Sequence, residues 1–151
     1  MTLFLFLHLL GVALWIGGGW AVRAIGRSSR VEARSQLRYV VKLQWAVTRT
    51  VMFPGVLLTV LSGLFLTFRL MSAVGAGGGG LMAMQGLGLL GALLSLFISI
   101  PAYARLSRVD PEGEHATYFD HLMRRAQISG AVAGLLALAA LVGGVVHRYG
   151  G

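Results

Sequence analysis

MTLFLFLHLLGVALWIGGGWAV, residues 1–22, contains no Asp, Glu, Lys or Arg, and His8 is its one readily ionisable side chain. A bilayer core roughly 30 Å thick is crossed by about 20 apolar residues in helical form. In lipid the backbone amides find no water partner, so a spanning segment of this kind must be helical. An ionisable side chain inside such a span is costly to bury and is a functional candidate by default.

Three further stretches have the same character, so the expected spans are Thr2–Val22, Thr50–Phe68, Leu81–Ala104 and Ala126–Val146. A hydrophobic fraction of 56% with 12% charged residues fits this assignment and lies far from the soluble average. The short alternating strands of a β-barrel are missing. The expectation is therefore an all-α, single-domain, four-transmembrane-helix bundle over residues 1–151.

Net charge is +8, and it is distributed unevenly. Eleven of the 13 Lys and Arg residues lie in the connections 23–49 and 105–125, leaving Arg69 and Arg148 for the opposite side. The positive-inside rule then places both connections in the cytoplasm and both termini on the outer side. Orientation, with some contact to anionic membrane lipids, accounts for this basic charge. The base-reading and aromatic-interleaved patterns of a nucleic-acid binder are missing. A cleaved signal carries its charge ahead of the apolar core. Here the first charge follows at Arg23, so a retained span is expected. The stretch Arg23–Arg49 has a basic face at Arg30, Arg34, Arg38 and Lys42 and an apolar complement at Val31, Leu37, Val40, Val41 and Leu43. It reads as an amphipathic lead-in along or above the membrane surface.

Small and hydroxylated residues recur at helical spacing along each span. They are His8, Gly11, Trp15, Gly18 and Val22 in the first, and Gly55, Thr59, Ser62 and Arg69 in the second. The third has Gln85, Gly88, Ala92, Ser95 and Ser99, and the fourth Gly130, Gly134, Ala137, Gly144 and His147. Such stripes are the usual helix–helix contacts in lipid. His8, Arg69, Gln85 and His147 come from four different spans and are expected together in the outer half.

Neutral imidazole is a ligand for haem iron and for metals, and histidines on facing helices are an ordinary way for a bundle to hold a cofactor. Haem b is therefore the first candidate cofactor. His8 and His147 are candidate metal ligands, with Gly11 giving a macrocycle room and Trp15 and Gln85 lining the site. Arg69 and Arg148 are placed to pair with propionates. The structural alternative is that His8 hydrogen-bonds Ser, Thr or Gln of a neighbouring helix. Copper is the competing cofactor, since Met1, Met71, Met82 and Met84 also lie toward the outer side and thioethers suit Cu(I). Without cysteine there is no disulfide, iron–sulfur cluster or thiolate metal site. No nucleophile triad, phosphate-binding loop or HExxH motif is present.

LHLLGVALWIGGG, residues 7–19, resembles the first span of two small four-helix membrane families. These are the copper-resistance protein D-like group and the membrane protoporphyrinogen oxidase of the J type. His8, Trp15, Gly17 and Gly18 carry the likeness, joined by PGVLLTVLSGLFL at 54–66 with Gly63. The oxidase resemblance implies haem b held partly by the first-span histidine, together with a lysine in span three. Gln85 is the nearest polar counterpart here and carries no charge. The copper-family resemblance implies copper handling in an inner membrane. Function is thus expected to be electron transfer or redox chemistry in a prokaryotic cytoplasmic membrane, with a redox partner or a homo-oligomer. The alternatives are copper handling and a cofactor-free accessory subunit of a larger complex.

Overall fold

The computed structural model describes residues 2–28, 34–74 and 79–149, with side chains described outside 70–74, 79–81 and 146–149. The described residues are almost entirely helical: α1 (Thr2–Ser28), α2 (Arg34–Val47), α3 (Phe53–Val74), α4 (Gly79–Leu94), α5 (Ile100–Leu106) and α6 (Ala116–Tyr149). A π-helical turn, Thr48–Met52, joins α2 to α3, and a second, Ser95–Ser99, joins α4 to α5. The molecule is thus four long rods, each long and apolar enough to cross a membrane. The terminal end is where α1 begins and α6 finishes. The basic end carries the two arginine-rich connections.

The π-turns follow from proline. Pro54 and Pro101 have no N–H to donate, and their rings crowd the carbonyl one turn back. One extra residue in the preceding turn relieves this: Phe53 N–H reaches the Thr48 carbonyl and Ile100 N–H reaches that of Ser95, each five residues back. Helix therefore continues through Pro101 to Leu106, slightly past the Ala104 expected as the end of span three.

Packing is strongest within two antiparallel pairs, α1 with α3 and α4 with α6. Trp15 ties the pairs together. It is buried, its indole N–H donates to Ser95 Oγ at 3.0 Å, and its ring edge lies where a Gly91 Cβ would be. It packs in a mid-bundle core with Met52, Val56, Ala92, Ile100 and Ala137.

The lead-in α2 forms one long helix with α3, broken only by the π-turn between them. It packs into a second core at the basic end with Val22, Tyr103, Leu106 and Phe119. Its stripe, Leu37, Val40 and Val41, meets protein in place of lipid. Gln44, 1% exposed, donates to the Val22 carbonyl at 2.9 Å and ties α2 to α1. Arg34 fixes the connection that follows α5, donating to the Pro111 carbonyl at 2.9 Å and to Asp120 at 2.7 Å. Gly113, with φ +74°, supplies the left-handed turn that starts the return.

Candidate cofactor site

The site begins with two glycines. A Cβ at Gly11 would lie 2.7 Å from Thr59 N, and one at Gly55 would lie 2.6 Å from Trp15 N. Without those atoms, α1 and α3 cross backbone against backbone. One turn nearer the terminal end, this contact sets His8 on Thr59, Ser62 and Gly63.

His8 Nδ1 lies 3.0 Å from the Thr59 carbonyl oxygen and 3.2 Å from Ser62 Oγ. A carbonyl can only accept, so Nδ1 carries the proton and donates to Thr59. Ser62 directs its own hydroxyl to the Leu58 carbonyl. In the neutral ring, Nε2 is then left with its lone pair. Among the described residues no hydrogen bond engages Nε2. The ring rests on the Gly63 backbone, where a Cβ would come 3.0 Å from Cε1. A backbone carbonyl on one nitrogen fixes both the tautomer and the ring orientation, which is the usual support of a ligating histidine.

Gly63 also borders a cleft of ≈ 460 Å³ between α3 and α4, where these helices touch only sparingly. Its walls are mostly apolar, with Gly86 and Gly88 opposite. Gln85 spans it, donating from Nε2 to Thr67 Oγ1 at 2.9 Å, and Thr67 donates in turn to the Gly63 carbonyl at 2.8 Å. His8 and Gln85 therefore approach the same glycine from different sides, without a hydrogen bond to each other.

The other expected residues lie elsewhere. The open face of Gly11 is occupied by Thr59 and the Gly55 carbonyl, so the room foreseen there for a macrocycle is filled by α3. Trp15 is a buried joint between the helix pairs. Arg69 is exposed, its guanidinium carbon 5.7 Å from the Phe65 ring centroid, and Phe65 stacks on Phe4 at 3.7 Å. The stripe of α3 leaves the core after Ser62, because the cleft opens there. The side chains of His147, Arg148 and Met71, and all of Met1, fall outside the described residues. Met82 is exposed, whereas Met84 turns its sulfur toward Gly144. Among the described residues no cluster of three or more His, Asp or Glu side chains could hold a metal ion.

The sequence reading missed Thr67 as the partner of Gln85, although it continues the Thr59 stripe two turns on. It also missed the Thr59 carbonyl as the acceptor for His8, since a backbone acceptor leaves no mark in residue types. No family model, no curated protein and no solved structure matches this chain.

Proposed function

We propose that this protein binds haem b near its terminal end through His8 Nε2 and serves electron transfer in a prokaryotic cytoplasmic membrane, with both termini outside. The observation that carries the reading is the Nδ1–H donation from His8 to the Thr59 carbonyl, which presents Nε2 as a lone-pair donor. Supporting it are one neutral imidazole and a predominantly apolar cleft of ≈ 460 Å³ that shares Gly63 with it, although His8 itself does not line the cleft. When bound, the group supplies a one-electron couple. Within the chain, Thr59 holds the imidazole tautomer and Gly63 keeps the ring's floor clear. Gln85 offers its free carbonyl oxygen and second N–H to polar atoms in the cleft. Arg69 is a cation at the same end for anionic substituents.

The test is the absorption spectrum of the detergent-purified protein. A Soret band in the wild type, lost or sharply shifted in His8→Ala and unchanged in His121→Ala, is expected. Unchanged haem content in His8→Ala would overturn the ligand assignment. Stoichiometric copper without a Soret band would move the reading to copper. Orientation is tested separately. A cysteine placed at Ser29 should resist an impermeant thiol reagent in intact cells, and one placed at Gly78 should react. The reverse pattern inverts the topology.

A further inference from the structure

Along α1 and α6 a second opening runs at the basic end, with an enclosed volume of ≈ 90 Å³. Its origin is visible in three glycines. A Cβ built on Gly19, Gly130 or Gly134 would meet nothing within 4 Å. The sequence stripe places Gly130 and Gly134 in the bundle seam, but the buried line of α6 is Ala126, Ser129, Ala133, Ala137 and Ala140. The two glycines sit beside that line and leave a groove. From Gln127 to Leu138 it runs about 16 Å, at 1.5 Å rise per residue.

The groove has a polarity. Its floor is buried Trp15, Val22, Met52 and Tyr103, and exposed Leu135 and Leu138 stand along its rim. At its basic end stands Arg23, whose guanidinium makes only a long 3.4 Å hydrogen bond to the Gln127 carbonyl. The ion pairs among the described residues belong to Arg34 and Arg38, which engage Asp120 and Asp110, and Arg23 forms none. Arg27 and Arg124 follow about one turn further toward the basic end on α1 and α6. Trp20, 62% exposed, stands at the edge, where an amphipathic ring suits the headgroup level.

We infer that this groove is a binding site for an anionic phospholipid, with its phosphate at Arg23 and an acyl chain over Gly130 and Gly134. The combination of an apolar channel ending in an arginine without an ion-pair partner matches a molecule that is a chain at one end and an anion at the other. A second copy of this protein is a poorer occupant. It would bring its own arginine-rich end against this one, and like charges repel across an interface.

The probe is phosphatidylglycerol, with phosphatidylcholine of equal chain length as the control. Both are titrated onto the detergent-purified full chain and followed by native mass spectrometry. Phosphatidylglycerol should be retained in preference to phosphatidylcholine. Arg23→Ala should weaken it about five-fold, the effect of one basic residue near an anionic surface, and Arg23→Lys should largely restore it. Gly134→Leu fills the groove without changing charge and should also weaken retention. Helix content by circular dichroism confirms that each variant is folded, and Arg38→Ala should behave as wild type. Equal retention of the two lipids, or retention unmoved by both Arg23→Ala and Gly134→Leu, would overturn the proposal. So would competition by inorganic phosphate at the same concentration as lipid, which would reveal an anion site with no use for the chain. A lipid-free dimer abolished by Gly134→Leu would assign the groove to a second copy.

Discussion

The seam between α1 and α3 and the groove between α1 and α6 are both lined by glycine, and glycine has opposite effects in them. In the seam, a Cβ on Gly11 would run into Thr59 and one on Gly55 into Leu14 and Trp15, with each glycine's carbonyl 3.0 Å from the other's missing Cβ. The backbones touch, and Thr59 fills what remains. In the groove, a Cβ on Gly19, Gly130 or Gly134 would meet nothing within 4 Å, and the space they leave stays open. A small residue draws helices together only where the partner's backbone is there to meet it. Otherwise it leaves a vacancy with a shape. The seam positions a histidine, and the groove leaves an arginine at its mouth.

The largest expected effect breaks the seam. Gly55→Leu places a side chain where even a Cβ meets Trp15 N at 2.6 Å. Backbone cannot retreat as a flexible side chain does, so a loss of about 3 kcal/mol or more is expected. A matching Gly130→Ala should change stability by about 0.5 kcal/mol or less. Thermal unfolding in detergent, read by circular dichroism, compares the two. Equal destabilisation would erase the distinction between seam and groove.

A smaller effect belongs to the joint that both regions share. Trp15→Phe keeps the ring and deletes the donor to Ser95, and the expected cost is about 1 kcal/mol. Ser95→Ala, combined with it in a double-mutant cycle, should add little further loss, because both changes remove the same bond. Full additivity would mean that the indole and the hydroxyl act separately.

Gln85 sharpens the terminal-end half of the comparison. Growth rescue of cells lacking their own protoporphyrinogen oxidase is not expected from this chain, because span three carries no lysine and the sequence resemblance to the J-type oxidase implies one. Rescue by Gln85→Lys alone would assign the difference to that one charge. Smallest of all, Arg34→Ala removes an exposed ion pair with Asp120 and a bond to the Pro111 carbonyl. It should cost about 1 kcal/mol or less and leave any Soret band unmoved.

The inward face of α1 was legible in full. His8, Gly11, Trp15, Gly18 and Val22 recur at one-turn spacing, and all but half-buried His8 are buried. A straight helix repeats its faces predictably. The π-turns were not legible, because face-reading assumes 3.6 residues per turn and each turn before Pro54 and Pro101 inserts one more. The partner of α2 was not legible for a related reason. Its apolar stripe suits a membrane surface or a protein partner equally, and only the tertiary contacts with Phe119 and Leu106 decide between them. The groove was hidden because a glycine that admits a neighbour and a glycine that leaves space are written with the same letter.

Helix α6 is 34 residues long, about 50 Å, against a hydrocarbon core of roughly 30 Å. A crossing of that core takes about 20 residues, so α6 has more than ten to spare. Around its start the charges are mixed and paired: Asp120 of α6 takes Arg34 at 2.7 Å, and Asp110 of the preceding connection lies 3.9 Å from Arg38. Every one of the described acidic residues lies at this end, so the arginine-rich connections carry their own counter-charges with them.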